Sequence, residues 1–147
     1  MATKAADPQA QRKNEALAAY KAFWAEQARA YGKADLKGTR LEKLASGEAL
    51  TRAMTDVATM KQAGTVTKGA PAHDAKVTSI RMRGKLPTAT ISDCLDISRW
   101  KTVKARSGKV VPFPKNQPLR YITSAYAEKW SGGWMILKIA PQGNRPC

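Results

Sequence analysis

Few residues in this chain could do chemistry. There is one histidine, His73, and there are two cysteines, Cys94 and Cys147. The carboxylate in the most suggestive setting is Asp93, inside Thr88-Ala89-Thr90-Ile91-Ser92-Asp93-Cys94-Leu95-Asp96-Ile97-Ser98. That stretch alternates as a strand does. Ala89, Ile91, Asp93, Leu95 and Ile97 share one face, and Thr90, Ser92, Cys94 and Asp96 share the other. A carboxylate among apolar neighbours can have a raised pKa and act as a general acid or base, so Asp93 is the candidate catalytic residue. The competing reading is structural, with Asp93 paired to a nearby Arg or Tyr. No second acid or oxyanion donor is identifiable beside it.

His73 lies in Pro71-Ala72-His73-Asp74 and reads as a solvated loop residue. With a single histidine and no C-x-x-C pair, the residue types for a zinc site are missing, and neither a metal nor a cofactor is expected. A Cys–His nucleophile pair has no supporting motif. Cys147 is the last residue, and in a frayed tail it would be an oxidisable thiol. Bonded to Cys94 it would pin the final strand, closing a loop worth about 4 kcal/mol in chain entropy. A Cys94–Cys147 disulfide is therefore expected, and with it an oxidising compartment, extracellular or at the cell surface.

Composition limits the partners. Lys and Arg number 26 against 11 Asp and Glu, a net charge of +15, which favours polyanions such as wall polymers, anionic membrane surfaces or nucleic acid. The candidates for such contacts are Arg81, Arg83, Arg99, Lys101, Lys104, Arg106, Lys109 and Arg120, most of them around one hairpin that also carries Trp100. A basic sheet face with an aromatic can hold single strands, but no nucleic-acid motif accompanies it, so nucleic acid is not the favoured partner. No run is apolar enough to span a bilayer, and Met1 to Pro8 lack the apolar core of a signal peptide. The reading is one domain over 7–147, with 1–6 as a disordered N-terminus.

The elements that must position these residues follow from periodicity. Asp7-Pro8 marks a helix start, and a long amphipathic helix of about 35 Å runs to Tyr31 with Gly32 as its cap. Leu17, Tyr20, Phe23, Trp24 and Tyr31 form its apolar stripe. Leu36, Leu41 and Leu44 suggest a short helix or turn. Ser46 caps a second clear helix to about Gln62, with Leu50, Ala53, Met54, Val57 and Ala58 inward and Gly64 ending it. The period then changes to two. Strands are expected at 65–67, 76–83, 88–98, 100–105, 109–111, 119–130 and 134–140. Val77, Ser79, Arg81 and Arg83 should face one way, and Met135, Leu137 and Ile139 should lie together. Pro141 to Pro146 reads as a tail unfit for a strand. Helices followed by antiparallel strands make an α+β domain, with the first helix across one curved sheet. Tyr20, Trp24, Asp93 and Tyr121 would line a ligand pocket between helix and sheet.

That order of elements resembles the nuclear transport factor 2-like fold, the cone shared by ketosteroid isomerases and SnoaL-like cyclases. More closely, the chain resembles a group of uncharacterised actinobacterial secreted proteins and lipoproteins. The similar stretches are Ala19 to Trp24, Gly64 to Gly69, Pro87 to Asp96, Gly132 to Trp134 and Arg145 to Cys147. The resemblance covers nearly the whole chain. It implies the cone and export, and implies no activity. Folds of this type often dimerise through the sheet face, for which Ile122, Tyr126, Trp130 and Trp134 are the candidates. The expected function is a non-catalytic exported interaction or ligand-binding domain. The alternatives are polyanion binding through the basic face, and a small-molecule isomerase or cyclase using Asp93.

Overall fold

A computed structural model describes residues 7–147; the expectation for 1–6 lies outside the described residues. Helix α1 spans Ala10–Lys33, α2 spans Leu41–Leu44 and α3 spans Gly47–Ala63. The Asp7 carboxylate accepts the Gln9 amide at 2.9 Å and the Lys13 ammonium at 3.0 Å, so Asp7 anchors the chain just ahead of the helix, whose N-cap is Gln9. The apolar stripe buries Ala16, Tyr20, Phe23, Trp24, Gln27, Ala30 and Tyr31. The helix passes through Gly32, and the left-handed cap falls on Ala34, φ 51°. Ala34 is itself buried.

Helix α3 begins at Ser46, as expected, but the Ser46 hydroxyl makes no capping bond. The Ser46 amide is instead tied to the Ile136 carbonyl at 3.1 Å. The buried face of α3 is the small-residue line Ala49, Ala53 and Val57. That close contact rotates Met54, expected inward, to 50% exposure, and Ala58 is exposed too. Gly64, φ 70°, ends α3 as read.

The strands are β1 (Thr65–Gly69), β2 (Ala75–Arg81), β3 (Thr88–Asp96), β4 (Trp100–Lys104), β5 (Val110–Val111), β6 (Arg120–Trp130) and β7 (Gly133–Pro146). They pair antiparallel in two ladders, β1-β4-β5 and β2-β3-β6-β7, where a single sheet was expected. A bridge between Ala72 and Asp96 links the region between β1 and β2 to the end of β3. The two ladders arise because β3 stops at Asp96 and β4 turns away to pair with β1. Gly69 lets that pairing run to its end: a Cβ there would lie 2.1 Å from the Arg99 carbonyl oxygen.

Three register shifts, one in β2 and two in β7, break the strict alternation expected of the strands. In β2 the register shifts between Val77 and Ser79, which puts Val77 and Ile80 both against the core. In β7 the shift opposite Tyr126 and Ala127 leaves Leu137 as the extra residue. The buried set there is therefore Trp134, Ile136 and Ile139, not Met135, Leu137 and Ile139. An extra residue on one strand bends it and increases its twist, which curves the sheet around α1.

The C-terminal tail is strand, against expectation. Pro141 pairs with Thr123, Gln142 with Ile122 and Pro146 with Tyr121. Proline is tolerated because β7 is an edge strand. The Gln142 amide also donates to the Ser124 hydroxyl at 2.8 Å. The Cys94–Cys147 disulfide is present as expected and ties the chain end to β3. It encloses a separation of 53 residues, for which loop entropy gives about 4 kcal/mol. Cys147→Ser should lower stability by about 2–4 kcal/mol and speed amide exchange first over Gln142 to Pro146. Unchanged denaturation midpoints would show that the edge pairing holds the tail without the bond.

Candidate functional site

Asp93 is wholly buried, on the inward face of β3. Its Oδ2 accepts the Tyr20 hydroxyl of α1 at 2.7 Å and faces His73 Nδ1 at 2.7 Å. Its Oδ1 accepts the Asp74 backbone amide at 2.9 Å. Three chain segments thus meet on one carboxylate. Burial pushes the Asp93 pKa up, but the bonds from His73, Tyr20 and the Asp74 amide outweigh it and hold the carboxyl below its ordinary value. Tyr20 responds in the opposite sense. Burial first, then the adjacent carboxylate, raises its phenol well above the ordinary range. The Trp24 indole N–H opposes that rise in smaller measure.

His73 is therefore not a solvated loop residue. Its side chain is 18% exposed, packed between Tyr20 and Trp24, whose ring centroids lie 5.9 and 5.3 Å away. A carboxylate bonded to a histidine is half of a familiar catalytic arrangement. The shallow pocket beside His73, lined by Lys21, Trp24, Ala25, Ala70 and Pro71, offers no hydroxyl, thiol or second acid for it to activate. Among the described residues no three His, Cys, Asp or Glu side chains cluster as metal ligands.

The cavity lies elsewhere. An inner chamber of about 140 Å³ is lined by Trp24, Gln27, Arg52, Leu95, Thr123 and Ile139 among others. An outer chamber of about 310 Å³ is lined by Met60, Thr67, Ile97 and Phe113 among others. Tyr31, Asp56, Trp100 and Tyr121 line both. Of the four residues expected to form a pocket, Trp24 and Tyr121 line the cavity; Tyr20 and Asp93 do not, because the hydrogen bond between them closes that part of the core. Tyr31 and Asp56 were not singled out as a pair. The signal was present: Tyr31 ends the α1 stripe, and Asp56 precedes the inward Val57.

Inside the cavity the Tyr31 hydroxyl donates a hydrogen bond to Asp56 Oδ2. Burial and then this carboxylate raise the Tyr31 phenol, and Arg52 partly opposes them. Burial also raises Tyr121. The Trp100 ring stacks on Tyr31 with centroids 5.6 Å apart and planes 13° apart. The buried hydroxyls of Thr123 and Thr67 and the indole N–H of Trp100 have no protein partner among the described residues.

The basic candidates fall into two groups. Lys101, Lys104 and Lys109 lie on or beside the β4–β5 hairpin, with Arg99 just before β4 and Arg106 in the turn. Arg81 and Arg120 sit opposite the two ends of β3, at Thr88 and Asp96, and Arg83 follows β2. Lys101 is held over the Phe113 ring at 5.0 Å. On the outer sheet face Tyr126 and Trp130 are exposed and both bond to Glu128, whereas Trp134 is buried and offers nothing to a partner.

No known protein family matches the chain, and no curated protein matches it. Among solved structures it is similar to the crystal structure of the intermembrane space region of the chloroplast protein ARC6. The TM-score is 0.53 at 16% identity, covering 95% of this chain and 99% of that one. The likeness is one of fold.

Asp93→Asn should cost about 2–3 kcal/mol, since it weakens charge-assisted hydrogen bonds in a buried site. The pH dependence has a definite sign. The folded pKa of Asp93 is depressed, so its stabilisation is complete above about pH 4 and fades as pH falls through the folded value. Urea titrations at pH 7 and pH 3 should show a smaller acid loss in Asp93→Asn than in the parent; equal losses would place the acid sensitivity elsewhere.

Proposed function

We propose that the chain is an exported ligand-binding domain with no reaction of its own, and that its site is the two-chambered cavity around Tyr31, Asp56, Trp100 and Tyr121. The observation that carries this is the fully buried Thr123 hydroxyl on the cavity wall, which finds no protein partner among the described residues. Leaving such a group unpaired costs on the order of 1–3 kcal/mol, which a polar atom in the cavity offsets. Asp93 supports the non-catalytic part, because its hydrogen bonds are spent on holding three segments together and it lines neither chamber. The disulfide supports export. The structural neighbour is itself a region from an intermembrane space. The order of elements is consistent with the nuclear transport factor 2-like reading; the secreted actinobacterial group rests on the resemblance of sequence alone, and we keep both as part of the proposal.

Binding should quench or shift tryptophan emission and raise the melting temperature. Trp100→Leu should abolish both effects, and the ligand should be recovered unchanged. Turnover that disappears in Asp93→Asn would overturn the reading in favour of an enzyme. Binding of DNA or anionic vesicles that weakens steeply with salt, unaffected by Trp100→Leu, would move the function to the basic hairpin.

A further inference from the structure

The outer chamber has an unusual wall for so basic a protein. Lys and Arg make up 26 of the 147 residues, yet none of them lines it, and Asp56 is the one charged side chain that does. The other principal walls are Tyr31, Trp100, Phe113 and Tyr121. Asp56 makes no salt bridge among the described residues. Arg52, one turn earlier on α3, directs its Nη1 to the Ile139 carbonyl at 3.3 Å and lines only the inner chamber. Tyr31 occupies Oδ2 of Asp56, and Oδ1 has no protein donor among the described residues.

We infer that the outer chamber binds an organic cation, a quaternary ammonium group on a small polar or apolar body, with Asp56 as its counter-charge and the four aromatic rings as its walls. This rests on the ligand-binding reading above and names the ligand class. Aromatic faces attract cations through their quadrupoles, and a quaternary ammonium is cheap to desolvate against them. A hard metal ion is disfavoured, because one carboxylate is too few oxygen ligands. An anion would meet Asp56 with no cation on the chamber wall to answer it. The volume of about 310 Å³ suits a small molecule.

Three probes of matched shape test this: choline, its neutral carbon isostere 3,3-dimethylbutan-1-ol, and the anion 3,3-dimethylbutanoate. Each is titrated into the oxidised full chain while the Trp100 indole N–H resonance is followed. Choline should bind about tenfold more tightly than the neutral isostere, as a desolvated cation on aromatic rings beside a carboxylate requires, and the anion should bind least. Asp56→Asn should bring choline and its isostere to within about twofold of each other. If the isostere binds as tightly as choline and Asp56→Asn changes neither, the cation inference fails and the cavity reading stands. If none of the three moves the Trp100 resonance, both fail. Should Asp56→Asn not fold, the comparison of the three probes on the parent protein still decides.

Discussion

A carboxylate with no exposed surface sits between the first helix and the sheet, and it is tolerated there because donors reach both of its oxygens. Removing Asp93 from water without partners would cost several kcal/mol. Tyr20 supplies one partner from α1, His73 and the Asp74 amide supply two from the segment before β2, and β3 carries the acid itself. The polar contact thereby fixes one point of α1 against β3, and the apolar stripe of the helix packs around it. The same contact seals the core beneath Tyr20, which leaves the open volume at the far end of the helix, around Tyr31.

The second determinant is curvature. A flat sheet would press on α1 along its whole length and leave no chamber. The bulges in β2 and β7 bend the four-stranded ladder, and the departure of β4 to pair with β1 opens its edge. Trp100 at the start of β4 then stacks on Tyr31 near the end of α1, roofing the gap with aromatic rings. The disulfide and the paired tail hold β7 against β6 beside Thr123, so the cavity floor is covalently braced.

Periodicity made the helices, the order of the strands and the two faces of β3 legible, and the position of Cys147 made the disulfide legible. What periodicity could not show were the departures from it. Nothing in Lys76-Val77-Thr78-Ser79-Ile80 or Met135-Ile136-Leu137-Lys138-Ile139 announces a bulge, because the extra residue is chosen by how the neighbouring strand fits. Pro141 and Pro146 argued against strand, yet an edge position removes the need for their missing amide hydrogens. His73 was misplaced for a related reason: a loop histidine is read as solvated unless its carboxylate partner, twenty residues on, is known to point at it. Asp56 was legible only as the residue before the inward Val57, which places it on the flank of the stripe without naming Tyr31 as its partner.

The balance between global and local charge decides what the cavity can hold. A net charge of +15 repels cations at long range, but at physiological salt the field of exposed Lys and Arg decays over about 8 Å. Within the outer chamber the formal charge on the wall is Asp56, part-buried beside Tyr31. Lys101 lies over the Phe113 ring, held by the same attraction that the cavity would offer a ligand, and Arg52 lines only the inner chamber. The basic surface and the carboxylate in the chamber wall can therefore coexist in one small domain.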